Sequence, residues 1–317
     1  MTPNIQRLAL ACFAAVGAAA LMAPGVASAL PTRTWVSAIG NDGNDCSIGS
    51  PCQTFAVALT KTAAHGEIDA LTPGGYGPVT IDKAITIAGN GVGAVSIVVS
   101  GSDAITIAAG ASDVVTLRGL QLNGVTAGVN GVRMTTGGSL KIEDCVIEHF
   151  SGMGVLDNDT QPHQILIADT YVTDNATGGI MIQPGATGGV TTGALTRVRV
   201  QNNSFGIRID AKSDNAPIGV TVEDSTIANN VNAGAAAVSS GTPAELLLIR
   251  SSLVANGGAG INVNGASATV KASGSLIAHN GGVAMSASNG GLAESFGDNL
   301  IKGNQGGDGN FGRTNLE

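Results

Sequence analysis

The chain has 317 residues, 47 of them glycine, with 12% charged and 3% aromatic residues and a formal charge of −8. Glycine stands at about twice its ordinary share, but 43% hydrophobic residues and sparse charge argue against a disordered chain, and the absence of an every-third-residue glycine rhythm excludes collagen. The acidic balance, with no basic run to offset it, argues against a nucleic-acid backbone or an anionic membrane surface as partner.

Residues 1–29 read as a secretory signal: Arg7 supplies the positive start, Leu8 to Ala23 the apolar core, and Ala27-Ser28-Ala29 the small-residue cleavage site, with the cut after Ala29. A retained membrane anchor is the rival, disfavoured by Gly17, Pro24 and Gly25 inside the stretch. No later run has the apolar length of a membrane span, so a secreted or periplasmic protein without a transmembrane anchor is expected. Cys12 would leave with the leader. Of the remaining cysteines, Cys46 and Cys52 close the short loop CSIGSPC and are expected to pair in an oxidising compartment, the alternative being two free thiols. Cys145 falls inside a repeat and reads as a small buried group.

From Leu117 onward the chain is self-similar. The segments IEDCVIEHF (142–150), IADTYVTDN (167–175), LTRVRVQNN (195–203), VEDSTIANN (222–230) and IRSSLVANG (249–257) share one frame, with looser copies before and after. Anchoring on the second apolar position places Leu122, Ile147, Val172, Val200, Ile227, Val254, Ile277 and Ile301 at intervals of 23 to 28 residues. A second short alternating run opens at a glycine after several anchors, as in GVLD (154–157), GIMI (179–182), GIRI (206–209) and GINV (260–263). A unit of this size with two or three short strands cannot bury its own apolar face and must stack on its neighbours. Glycine pairs and β-branched runs exclude helical repeats. The remaining solution is an all-β parallel solenoid, each coil adding about 4.8 Å. Ile147, Val172, Val200, Ile227 and Val254 then line its interior, and Cys145, Thr170, Val198, Ser225 and Ser252 form a column of small groups. His149, Asp174, Asn202, Asn229, Asn256 and His279, with the neighbouring Asn175, Asn203, Asn230 and Asn280, are expected to form a side-chain ladder at a turn.

The chain thus resembles the right-handed parallel β-helix proteins of the pectate-lyase-like superfold. The segment TWVSAIGNDGNDCSIGSPCQTFAVALTKTAAHGEIDALTPGGYGPVTIDKAITIAG is similar to the opening of exported bacterial β-helix proteins. That resemblance implies an N-terminal cap over residues 30–66, with a helix from Thr54 to Ala64 that points Phe55 and Leu59 inward, and a first coil over Glu67 to Ile87. The cap and a solenoid of roughly ten coils over 67–317 would make one domain.

The same superfold carries lyases, hydrolases, epimerases and non-catalytic surface proteins, so function must come from sites. No adjacent aspartate pair and no Gly-His-Gly matches a polygalacturonase-like site, and Arg197-Val198-Arg199 lacks the proline of the pectate-lyase-like motif. Gln161-Pro162-His163-Gln164 lacks both carboxylates of the epimerase-like motif. Chemistry on a polyuronate needs a cation for the carboxylate and a base for the C5 proton. Outward strand positions offer Arg199, Arg208, Asp210 and Glu223 as a candidate catalytic patch, and Tyr171, Arg199 and Arg208 as candidate ligand contacts; solvated charges pairing across coils is the plainer interpretation. Asp157 and Asp159, near Glu148, offer oxygen ligands for calcium, the one cofactor suggested, against the alternative of a polar loop. His149 and His279 read as ladder members, while His65 and His163 show no evident partner. The expectation is an exported scaffold that binds a polysaccharide or cell-envelope component without catalysis. The alternative is a lyase or glycoside hydrolase acting on an acidic polysaccharide, which requires Arg199, Arg208 and Glu223 or Asp210 to meet in one groove.

Overall fold

Each coil bends sharply twice, and left-handed residues make both bends. In a computed structural model, which describes residues 29–89, 91–185, 189–211 and 216–313, one coil runs through strands Ile218–Glu223, Thr226–Ala228 and Ala235–Ser239. Asp224 (φ 51°) turns the chain between the first two strands and Asn229 (φ 54°) turns it again after the second. The left-handed region is closed to most side chains but open to Asn and Asp, which explains their recurrence at these two slots. Alternation then decides what is inside: Val220, Val222, Ile227, Ala235 and Ala237 are buried while Thr221 and Thr226 face outward.

Among the described residues, repeating this coil builds three sheets of twelve, ten and nine strands, here called sheets 1, 2 and 3 in the order the coil visits them. Every strand pairs in parallel with its equivalents one coil away, as in Thr196↔Glu223↔Ile249 on sheet 1, Arg199↔Thr226↔Ser252 on sheet 2 and Arg208↔Ala236↔Asn262 on sheet 3. The interior is one aliphatic cluster with stacked columns such as Ile142, Ile167, Leu195, Val222 and Leu248. Sheet 1 starts earlier than expected. Arg33–Val36, inside the cap, already pairs with Gly66–Ala70.

The expected register fails in one repeat. Leu253, not Val254, pairs with Ile227 and is buried, while Val254 lies at the half-buried outward position. The small column therefore continues through Ser251 rather than Ser252, whose predecessor Ser225 donates its N–H to Ser251 Oγ at 3.2 Å. IRSSLVANG contains the doublets Ser-Ser and Leu-Val, so both registers satisfy the pattern, and a slip of one residue exchanges inside for outside. The turn ladder shifts with it. His149, Asp174, Asn202, Asn229, Ala255 and His279 occupy the left-handed slot, whereas Asn175, Asn203, Asn230, Asn256, Asn280 and Asn304 form the buried amide ladder. In that ladder each backbone N–H and side-chain amide donates to the next Oδ1, as Asn230 does to Asn256 at 3.2 and 2.9 Å.

The cap helix spans Phe55–Lys61, three residues shorter than expected at its C-terminal end. Thr54 caps its start, accepting from the Val57 N–H, and Phe55, Ala58 and Leu59 are buried under it. Phe55 packs on Tyr76 with ring centroids 5.0 Å apart. Cys46 and Cys52 form the expected disulfide beside the helix. Lys61 Nζ donates to the Asp42 carbonyl at 2.8 Å and to that of Asn44, tying the Gly/Asn/Asp loop to the helix end. The proposed signal segment lies outside the described residues, apart from Ala29 at its end. No described helix is long and apolar enough to cross a membrane.

Candidate functional site

The first bend carries charge in five successive coils, at Asp144, Asp169, Arg197, Asp224 and Arg250. Because its left-handed residue points outward, Asp169, Arg197, Asp224 and Arg250 stack on successive coils with alternating sign, all exposed. Arg197 grips Asp169 with two parallel bonds, Nε to Oδ1 and Nη2 to Oδ2, both 2.6 Å. Arg250 does the same to Asp224 at 2.9 and 3.2 Å and also reaches Glu223. These guanidinium hydrogen bonds hold the Asp169 and Asp224 carboxyls below the usual carboxylate range, so both remain ionised and occupied.

Two residues beyond this ladder lies the outward column of sheet 2, where Val146, Tyr171, Arg199 and Thr226 sit over one another. Ladder and column together line a groove of about 750 Å³: Asp169, Arg197 and Asp224 contribute from the bend, Tyr171, Arg199 and Thr226 from the strands, with Gln201 beyond them. Buried Val172, Val200 and Ile227 fix these strands from inside and so force their neighbours outward. Arg199 is exposed and makes no ion pair among the described residues, unlike Arg197 two residues earlier at the bend. The groove thus offers one uncommitted guanidinium next to a half-buried phenol, bordered by carboxylates already neutralised by their own arginines.

The four residues expected to form a catalytic patch do not meet. Arg199 lies on sheet 2 in this groove with Tyr171 in the adjacent coil, whereas Arg208, the third expected ligand contact, lies on sheet 3. Arg208 and Asp210 share one strand of sheet 3, Ile207–Ala211, where Nη2 and Oδ2 are 2.6 Å apart. Glu223 ends a strand of sheet 1 and is taken by Arg250. Because each coil visits three differently facing sheets, residues close in the sequence frame are carried to separate faces. The single-groove requirement of the lyase or hydrolase alternative is not met by this set.

The calcium suggestion is likewise corrected. Asp157 and Asp159 are fully buried and turn onto His163, the histidine that lacked an evident partner. Its Nδ1 is 2.7 Å from the Gln161 carbonyl, which can only accept, so Nδ1 carries a proton. Nε2 is 2.9 Å from Asp157 Oδ2, leaving one further proton held between ring and carboxylate. Burial, the largest single influence, pulls the imidazole pKa down, but the Asp157 hydrogen bond and charge, the Gln161 carbonyl and the Asp159 charge together carry it above its ordinary value. Asp159 is pushed up by burial. Asp157 is thus committed to His163, and among the described residues no group of three or more His, Cys, Asp or Glu side chains is arranged to hold a metal.

Cys145 is buried as expected, and desolvation pushes its thiol up to about 12, which removes it as a nucleophile. The charged ladder was the feature missed. Its signal lies in the residue three before each buried anchor, Asp144, Asp169, Arg197, Asp224 and Arg250, but anchoring the 249–257 repeat on Val254 instead of Leu253 aligns Arg250 with Glu223 rather than Asp224.

Comparison with known proteins places this architecture. No curated protein sequence matches the chain. Among solved structures, pectate lyase Pel9A superposes with a TM-score of 0.66 at 16% identity, covering 87% of this chain and 78% of that one. The A-module of Azotobacter vinelandii mannuronan C-5 epimerase AlgE6 superposes with a TM-score of 0.50 at 16% identity, covering 78% of this chain and 83% of that one. A rhamnogalacturonan lyase gives a TM-score of 0.50 at 11% identity over 81% and 82%. At these identities the likeness is one of fold. The family model described as "Right handed beta helix region" matches residues 83–251, just over half of the chain. With stacked coils, a buried asparagine ladder and parallel sheets running through that span, the chain belongs to the right-handed β-helix family.

Proposed function

We propose that this protein is an exported scaffold that binds an acidic polysaccharide along the groove of sheet 2 without cleaving it. The observation that carries this reading is the uncommitted Arg199 stacked beside Tyr171. A guanidinium fork matches a carboxylate, and the neighbouring phenol supplies a flat face for a sugar ring. The bordering ladder supports binding over catalysis, because Asp169 and Asp224 are each held ionised by an arginine and are poorly placed to accept a substrate proton. Stacked coils also suit a polymer, since equivalent outward positions recur every ~4.8 Å. The relatives by fold, which include a pectate lyase and a mannuronan epimerase, support a carbohydrate over another envelope component as the ligand. Export is supported by the Cys46–Cys52 disulfide, which persists in oxidising compartments, together with the leader-like first residues.

The test is affinity electrophoresis in polygalacturonate and in alginate, with and without calcium, alongside ultraviolet detection of unsaturated product. The wild-type protein is expected to be retarded without releasing product, and Arg199→Met to bind about tenfold more weakly. Release of unsaturated or reducing ends would replace this reading with the enzymatic one. Retention on peptidoglycan but on neither uronate polymer would move the ligand to another envelope component.

A further inference from the structure

A second groove, of about 530 Å³, opens on sheet 3 near the N-terminal end, on a different sheet from the first. Its floor is an outward column in which Thr80, Thr106 and Arg133 lie over one another on three successive coils. Val132 and Met134, both buried, hold that strand from inside and leave Arg133 no inward alternative. Ser102 and Asp103 line the groove from the preceding turn.

The guanidinium of Arg133 is held in place yet left unsatisfied. Its Nε–H is sealed from solvent with no acceptor. The nearest carboxylate, Asp103, stands 3.8 Å from Nη1, beyond hydrogen-bond length. Asp103 is also committed elsewhere: Oδ1 accepts from the Asn130 backbone and side-chain amides at 3.0 and 2.8 Å, and Oδ2 lies 3.4 Å from the Thr106 hydroxyl. The Nη edge of the fork remains exposed to the groove without a hydrogen bond from Asp103, and an anion entering the groove pairs with that edge. The neighbours narrow the choice of anion. The Asp103 charge beside the fork penalises a dianion such as phosphate, while the Thr80, Thr106 and Ser102 hydroxyls suit a monoanion that carries hydroxyl groups of its own.

We propose that this groove is a second binding site, for a carboxylate-bearing sugar, with Arg133 holding the carboxylate and the threonine column the ring hydroxyls. The sugar class rests on the acidic-polysaccharide reading above; the anion site rests on Arg133 alone. Two such sites on different sheets allow one molecule to bridge two polymer chains.

Calorimetric titration of the full chain with trigalacturonate tests this. Wild type is expected to bind two equivalents, Arg133→Met one, Arg199→Met one, and the double variant none. Thr80→Val, which keeps the side-chain shape, is expected to weaken only the Arg133-dependent site, and thermal melting confirms that each variant is folded. Polygalacturonate viscosity is expected to rise with wild type and with neither single variant. Two equivalents bound by Arg133→Met, or one by both it and wild type, overturns the proposal. Loss of a site in Arg133→Met with none lost in Arg199→Met overturns the sheet 2 reading instead and leaves this one standing. Displacement of trigalacturonate by equimolar inorganic phosphate overturns the sugar assignment.

Discussion

The two bends of each coil impose the same backbone demand and answer it with different side chains. Asp224 and Asn229 both sit near φ 50° and are exposed, and the residue after each turns inward: a hydroxyl at Ser225, which accepts one backbone N–H, and an amide at Asn230, which accepts and donates. Inside, Asn230 accepts from the Asn203 backbone and side-chain amides at 3.0 and 3.3 Å and donates to Val200 O and Asn256 Oδ1. Outside, the Arg197–Asp169 pair has better individual geometry but is screened by solvent. The buried amide ladder holds the coils together because its groups have no water to fall back on. The outer ion pairs are solvated and contribute less, and their charges border a groove.

The contrast is broken most severely from inside. Asn230→Ala orphans buried groups on two coils at about 1–3 kcal/mol each. It is expected to give the largest drop in melting temperature and to open the adjacent coils to amide hydrogen exchange. Gly206→Ala follows: a Cβ there meets the Gly234 carbonyl and Ile227 Cγ2, so the expected loss is about 1–3 kcal/mol, read by chemical denaturation.

The buried histidine at the far corner sharpens the comparison through pH. His163 has a raised folded-state pKa, so its contribution is complete below the unfolded value of about 6.5 and fades as pH rises through the folded one. The raised pKa of Asp159 favours the same direction. Wild type is expected to lose about 2–4 °C in melting temperature across that window, and His163→Gln to show a flatter profile. A wild-type curve that rises with pH there contradicts the proton assignment.

The smallest thermal effect belongs to the outer ion pairs of the first bend. Arg197→Ala is expected to melt with wild type, because its pair is solvated, yet to change uronate retention by freeing Asp169 inside the groove. A melting loss comparable to that of Asn230→Ala would mean that the outer ladder also clamps the coils.

Much of this was legible in advance. Ile147, Val172, Val200 and Ile227 are all fully buried in one column, and Asn175, Asn203, Asn230 and Asn280 do stack. The cap was legible through its similarity to other β-helix openings, down to buried Phe55 and Leu59. Where the frame contained doublets, as at Ser251-Ser252 and Leu253-Val254, it became ambiguous, and only strand pairing resolved it. His163 escaped notice because its partners, Asp157 and Asp159, lie in a loop outside the repeat frame. Arg133 falls between the Leu122 and Ile147 anchors, whereas its neighbours Thr80 and Thr106 precede Leu117, where the frame has no copies to align them.

The sequence by itself determined that coils stack, which residues fill most of the interior and where the chain must turn. Those features repeat along one dimension, and each copy reinforces the next. Only the tertiary structure decided which outward groups share a face, because coils of unequal length and three differently directed sheets separate neighbours in sequence and join residues a full turn apart. Arg199 and Arg208, nine positions apart, ended on different sheets, whereas Tyr171 and Arg199 became neighbours.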